Sequence, residues 1–159
     1  MSSLNDTDAV QRYDGATWKP VGGKVLQVVT ATSTTAFATT SGSFVDTNLS
    51  ASITPSASSS RVLVIASFPA SVGQNSNSQG NWTILRAGVN LGDTSWGIAR
   101  LTGFSAAQHS AQTMCIFDSP SATVATIYKV QGRNQQSGID ATMGANGSLQ
   151  TITLIEVAA

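Results

Sequence analysis

The sequence predicts an all-β protein: an antiparallel β-sandwich, jelly-roll-like, with about eight to ten strands and a short N-terminal arm. Its 159 residues suit a single domain, and short apolar runs alternate with turn signals along most of the chain. Polarity comes from 22 Ser and 19 Thr rather than from charge, and Thr favours strands. Good helix formers are scarce, with one Glu and three Lys.

The most apolar segment, residues 61–69, predicts the central strand. Six of the seven residues from 62 to 68 are apolar, and several are β-branched, which stiffens the chain toward the extended state. Pro69 is expected to end the strand. Alternation places one set toward the core, namely Val62, Val64, Ala66 and Phe68, and a second set, Leu63 and Ile65, toward the opposite face.

The N-terminal part, residues 1–22, is predicted to be an arm that carries a small hairpin. Asp14-Gly15 is a turn signal, and it stands between Tyr13 and Trp18, which we expect to face each other. The body, residues 23–159, begins with a strand at 24–32. A strand at 49–54 alternates cleanly, with Leu49, Ala51 and Ile53 predicted to point inward.

The second half of the body continues this pattern. We predict a loop at 70–81, a hairpin or bulge around Gly88, a turn at 92–97 and a loop at 105–110 that carries the only histidine. Three further strands are predicted at 111–118, 124–132 and 149–157, with a loop at 133–147. The last strand is apolar close to the chain end, which predicts a place in the centre of a sheet.

Composition excludes several classes of function. The net charge is zero and no Lys/Arg run is present, so nucleic-acid binding through phosphate contacts is not expected. No apolar run reaches the roughly 18–20 residues of a membrane span, so membrane insertion is not expected. The N-terminus shows no signal-peptide pattern. The single Cys115 excludes an intrachain disulfide framework, and we expect it to be a buried, inert thiol.

No catalytic pattern stands out, so we expect neither enzymatic activity nor a metal or cofactor. His109 is the only histidine, and the Gly-x-Ser-x-Gly motif of a nucleophile elbow is absent. Paired carboxylates for glycoside cleavage would have to come from the few acidic residues of the body, most of which neighbour turns and are expected to bond their own backbone. These residues are Asp46, Asp93, Asp118, Asp140 and Glu156.

Two sets of residues are candidates for binding. Trp96 stands in a Gly/Asp/Thr/Ser turn, where its ring either stacks on a sugar or packs in the core or against the loop. An apolar set, Leu63, Ile65, Ile152 and Leu154, either forms an interface between subunits or is buried between the two sheets of one subunit.

Several segments resemble the C-terminal domains of tailed-bacteriophage tail fibres and tailspikes. They are Tyr13-Asp-Gly-Ala-Thr-Trp18 followed by Gly23-Lys-Val-Leu-Gln-Val-Val29, the passage from Leu49-Ser-Ala-Ser-Ile-Thr-Pro55 to Arg61-Val-Leu-Val64, and the ending Ile152-Thr-Leu-Ile-Glu-Val157. The similarity covers residues 13–159. It implies a trimeric β-sandwich displayed on a virion, and related sandwiches also serve as head-decoration, or cement, proteins.

From this resemblance we expect a homotrimeric capsid decoration protein on the exterior of the virion head, made in the host cytoplasm and bound to the major capsid protein. About 22 residues before the body suit an arm rather than a fibre shaft, with Leu4, Val10, Tyr13 and Trp18 as its capsid contacts. Exposed loops are expected to touch host cell-surface glycans. The alternatives are the distal receptor-binding domain of a fibre or tailspike that recognises host polysaccharide and, against the lack of paired carboxylates, a glycan depolymerase.

Overall fold

The computed structural model describes residues 11–13, 15–20, 24–74, 78–104, 106–135 and 140–158. These residues form thirteen strands and one short 3-10 turn at Ala145–Gly147, and none of them is in an α-helix. The strands are β1 (Gln11–Tyr13), β2 (Trp18–Pro20), β3 (Val25–Ser33), β4 (Phe37–Thr39), β5 (Val45–Ile53), β6 (Arg61–Val72), β7 (Gln79–Arg86), β8 (Val89–Asn90), β9 (Ala99–Thr102), β10 (Gln108–Asp118), β11 (Thr126–Asn134), β12 (Ala141–Met143) and β13 (Gln150–Val157).

Two antiparallel sheets make up the body, which confirms the predicted sandwich. In the larger sheet, β6 pairs with β10 on one side and with β13 and β12 on the other, and these two pair outward with β3 and β4. In the smaller sheet, β5, β11 and β7 lie side by side, and β8 and β9 share the far edge of β7. Three positions in the sheets are each filled by two strands, namely β3 with β4, β12 with β13, and β8 with β9. If each of these pairs is counted as one strand, both sheets are four strands wide. The chain passes between the two sheets in the order of a jelly roll.

The core lies between the inner faces of the two sheets and follows the predicted alternation. On β6 the four inward residues are buried, whereas Leu63 and Ile65 are half-buried on the outer face. On β5 the inward set Leu49, Ala51 and Ile53 is buried as predicted. Trp82 of β7 is the largest fully buried side chain, and its ring centroid lies 5.8 Å from that of Phe68. This contact joins the two sheets near the middle of the sandwich.

The sequence predicted that Pro69 would end the central strand. This prediction is wrong, because β6 continues through Pro69 to Val72. The Pro69 carbonyl accepts a hydrogen bond from the Gly144 amide, so the carbonyl and the nitrogen of Pro69 both point toward the chain that forms β12 and β13. That chain is interrupted opposite Pro69, between Met143 and Gln150. The missing N–H of Pro69 therefore costs the sheet no hydrogen bond between strands.

The last strand lies in the centre of the larger sheet, between β3 and β6, as predicted. Its position corrects one part of the expected interface. Ile152 and Leu154 are completely buried in the core by this chain alone, so they face the smaller sheet and cannot contact a second subunit. Only the residues of β13 that alternate with these two reach the outer surface.

Two further expectations are wrong in detail. Cys115 is exposed rather than buried, because its neighbour Met114 takes the inward position on β10 and alternation turns the thiol outward. The segment 133–147 is not only a loop, since it contains β12, which pairs with both β6 and β4. The predicted hairpin at Gly88 is confirmed, with Ala87 and Gly88 both at positive φ between β7 and β8.

The N-terminal hairpin is confirmed as a separate two-stranded sheet. β1 pairs with β2, and Tyr13 lies opposite Trp18. Gly15 in the turn has a φ of 99°, a conformation that glycine adopts without a steric penalty. Of the four residues expected on the arm, Leu4 and Val10 lie outside the described residues, and Tyr13 is more than half exposed.

Candidate functional site

The outer face of the larger sheet carries an apolar band that crosses all four strands. The pairing registers place Phe117 beside Leu63, Leu63 beside Ile155 and Ile155 beside Val28, all on the outer side. Phe117 is 41% exposed and Val28 57%, while the two central residues are half-buried. Val25, Leu26 and Val157 extend the band at the same end of the sheet. We call these seven residues the apolar band.

The surroundings of the apolar band contain little charge. The Arg61 guanidinium lies 4.2 Å from the centre of the Phe117 ring, where it covers one edge of the band. The next row across the sheet contains Cys115, Ile65, Thr153 and Thr30, and the two threonine hydroxyls are hydrogen-bonded at 3.2 Å. The row after that consists of Thr113, Ser67, Thr151 and Thr32. The band is thus a local apolar surface on an otherwise neutral, hydroxyl-bearing sheet.

The smaller sheet carries Trp96 in the turn between β8 and β9. One carboxylate oxygen of Asp93 accepts hydrogen bonds from the amides of Ser95 and Trp96, both at 2.7 Å, and so fixes the turn. The Trp96 side chain is 43% exposed. The Arg100 guanidinium, on β9, lies 4.9 Å from the centre of its ring. Trp96 is therefore not a core residue, and its ring forms a cation–aromatic pair with Arg100.

Arg133 of β11 fixes this turn from a second side. Its guanidinium donates to the carbonyl oxygens of Ser95 and Gly42, the latter at 3.2 Å, and to the Gln135 side chain at 3.0 Å. It also lies 5.1 Å from the centre of the Phe44 ring. Three segments that are distant in sequence therefore meet at this end of the smaller sheet. The sequence identified Trp96 only, because the other members follow no recognisable motif.

Among the acidic residues of the body, Asp93 acts as a turn cap, whereas Asp46 and Asp118 bind other side chains. Asp93 caps its own turn, as predicted. Asp46 instead binds Lys129 and Gln131, at 2.7 and 2.8 Å, and these hydrogen bonds lower its pKa. Asp118, also expected in a turn, accepts from Arg86 and from the Tyr128 hydroxyl, both at 2.7 Å.

The Tyr128 hydroxyl lies in the core, where burial and the hydrogen bond to Asp118 raise its pKa strongly. Together with Arg86, these side chains join the end of β10 to the smaller sheet.

Glu156 is a buried carboxylate that closes one end of the sandwich. Its side chain has no accessible surface, and it accepts from the Gln27 amide at 2.5 Å and from both the backbone amide and the hydroxyl of Ser56 at 2.7 Å. Burial opposes ionisation, but the hydrogen bonds from Gln27, Ser60 and Ser56 outweigh it and lower the pKa of Glu156 to about 2. The group fastens the loop at 54–60 to β3 and β13.

Two open clefts lie on the outer faces. One, of about 300 Å³ on the smaller sheet, is lined by Leu85, Ile127 and the ion pair of Lys129 with Asp46. The other, of about 350 Å³ on the larger sheet, contains His109 and a hydrogen-bonded pair of hydroxyls, Ser71 and Thr142. His109 lies on β10 and not in a loop. No acidic residue of the described chain lines the cleft at His109.

Among the residues that the structure describes, no three His, Cys, Asp or Glu side chains come together as metal ligands would. The same part of the chain contains no helix long and apolar enough to cross a membrane.

A search of models of known protein families and of curated proteins found no match to the chain.

Proposed function

We propose that the chain is a structural protein of a tailed-bacteriophage virion that assembles as a homotrimer and decorates the exterior of the capsid. The observation that carries the proposal is the apolar band, which spans four strands of the larger sheet and has Leu63 at its centre. A soluble β-sandwich rarely leaves a contiguous apolar surface of this kind uncovered. The resemblance to virion β-sandwiches supplies the expected stoichiometry and location.

The band suits contact between identical copies. It contains no ionised side chain, and its one neighbouring guanidinium already lies over Phe117, so little charge is desolvated when the bands of three copies meet around a three-fold axis. Of the predicted interface residues, Leu63 belongs to the band and Ile65 adjoins it. The corrected interface therefore keeps these two residues and replaces Ile152 and Leu154 by Phe117, Ile155 and Val28.

A matched pair of substitutions tests the assembly. Val28 in the band is 57% exposed and Val89 on the smaller sheet is 53% exposed, so an aspartate at either position disturbs the fold to a similar, small degree. We expect light scattering to give three times the chain mass of 16.3 kDa for the native protein and for Val89→Asp, and a monomer for Val28→Asp. A monomeric native protein, or the same mass for both variants, would contradict the proposal.

The exposed Cys115 provides a second measurement, because it is the only thiol of the chain. It lies one row from the band, beside Ile65, so trimer formation should slow its reaction with a thiol reagent. We expect labelling to accelerate as the protein is diluted and in Val28→Asp, but not in Val89→Asp. Labelling that is equally fast at all concentrations would show that this face stays open.

The location on the capsid is tested by electron microscopy of the particles that carry the chain. We expect density of three-fold symmetry on the head exterior, in fixed ratio to the major capsid protein. Deleting residues 1–22 should abolish attachment and leave the sandwich folded, because the hairpin of β1 and β2 belongs to a separate sheet. Density on the tail instead of the head would favour the receptor-binding alternative.

A further inference from the structure

We propose that the smaller sheet carries a binding site for a carboxylate-bearing saccharide, formed by Trp96 and Arg100. This inference goes beyond the proposed assembly and is independent of it, because the two residues lie on the sheet opposite to the one that carries the apolar band. A trimer formed through that band leaves Trp96 and Arg100 facing outward. The proposal would hold for a monomer as well.

The charge at this end of the sheet is unbalanced. Arg133, Asn81 and Arg100 are neighbours in one row across β11, β7 and β9, so two of the five arginines extend from the same face. In the described part of the chain, neither guanidinium pairs with a carboxylate, whereas Arg86 and Lys129 do. The nearby Asp93 directs one oxygen to two backbone amides. The excess positive charge favours an anionic ligand.

Arg100 is the cation that remains available. Arg133 is buried more deeply and already uses three of its five N–H groups, which donate to oxygen atoms of Gly42, Ser95 and Gln135. Arg100 is exposed and lies against the Trp96 ring. A guanidinium carries its N–H donors in its own plane, so one that lies over a ring can still bind a carboxylate through two parallel hydrogen bonds.

The aromatic partner and its surroundings indicate a sugar rather than a bare anion. Trp96 offers an apolar surface, 43% exposed, on which the C–H face of a sugar ring can stack. The turn is already fixed by Asp93 and Arg133, so little conformational entropy is lost when a ligand binds. A uronic or sialic acid presents both required features, a C–H face for Trp96 and a carboxylate for Arg100.

The test uses the full chain and an array of oligosaccharides that contain galacturonic, glucuronic or sialic acid, each beside its neutral methyl ester. We expect at least one acidic oligosaccharide to bind and its ester to bind at least tenfold more weakly, since a hydrogen-bonded ion pair contributes about 1.5–3 kcal/mol. Arg100→Gln and Trp96→Ala should each weaken binding about tenfold or more. Lys129→Gln removes one positive charge from the same sheet and should change the affinity less than about twofold.

Three outcomes would overturn the proposal: no binding of any acidic oligosaccharide, equal binding of acid and ester, or equal losses in Arg100→Gln and Lys129→Gln. Binding of DNA and heparin alike, with no effect of Trp96→Ala, would show unspecific attraction of polyanions and would also overturn it. The molecular mass in solution, measured on the same samples, separates these results from a failure to assemble.

Discussion

Removing the negative charge of Glu156 should make the sandwich less stable at neutral pH, and the effect should fade in acid. In Glu156→Gln, one carboxylate oxygen becomes an NH₂ group that faces the Gln27 amide nitrogen, so two donors meet. Gln27 cannot simply rotate its amide by 180°, because the same nitrogen also donates to the Thr54 carbonyl at 2.7 Å. A buried donor is then left without an acceptor.

The magnitude follows from the pKa. The pKa of Glu156 falls from an ordinary 4.5 to about 2 in the folded protein. At about 1.4 kcal/mol for each pH unit, the difference corresponds to roughly 3 kcal/mol of stability. Because the carboxylate lies close to the surface at one end of the sandwich, we discount this figure for solvent screening to about 2 kcal/mol.

The direction of the pKa shift determines how this stabilisation depends on pH. The folded pKa lies below the unfolded one, so this stabilisation is complete above about pH 4.5 and is lost as the pH falls toward 2. Urea unfolding, followed at one protein concentration by tryptophan fluorescence, to which the buried Trp82 contributes, should show Glu156→Gln about 2 kcal/mol less stable than native at pH 7. The difference should shrink to about half near pH 3. Asp46→Asn, at an exposed ion pair, serves as control and should cost less than about 1 kcal/mol. A difference that is absent at pH 7, or equal at pH 7 and pH 3, would refute the reasoning.

Three further predictions concern the backbone and the core. Ala87→Asn should raise the melting temperature by a few degrees, about 0.5–1 kcal/mol, because Ala87 has a φ of 46° and Asn-Gly suits this hairpin turn better; an unchanged or lower value would contradict it. Gly97→Ala and Gly147→Ala face the same strain at φ of 70° and 72°, but a Cβ at Gly97 would clash with the Trp82 carbonyl, whereas the space at Gly147 is open. Gly97→Ala should therefore destabilise by at least about 2 kcal/mol more in chemical unfolding, and equal losses would show that the contact yields. The variant Tyr13→Phe leaves Tyr128 as the one tyrosine of the chain. Because burial and Asp118 strongly raise the pKa of Tyr128, absorbance at 295 nm should show no phenolate at pH 11 until the protein unfolds. A phenolate signal from the folded protein would refute this.

Much of the fold was predictable because period-2 alternation is a local property of each strand. The inward sets of β5 and β6, the central position of β13 and the hairpins at Gly15 and Gly88 were all predicted from the sequence. Pro69 misled the prediction because its tolerance depends on an interruption in the neighbouring strand, about 75 residues further along the chain. Cys115 misled it because a run that is apolar at every position does not show which of its two alternating sets of residues faces inward.

By itself, the sequence determined the fold class and, for most strands, which alternate residues face inward, since these depend on composition and local pattern. Only the tertiary structure decided which outward residues become neighbours. Phe117, Leu63, Ile155 and Val28 form one band because strands distant in the chain pair in a particular register. The cluster of Trp96 with Arg100 and Arg133 arises in the same way. Register and strand order are set by non-local contacts, which no single segment encodes.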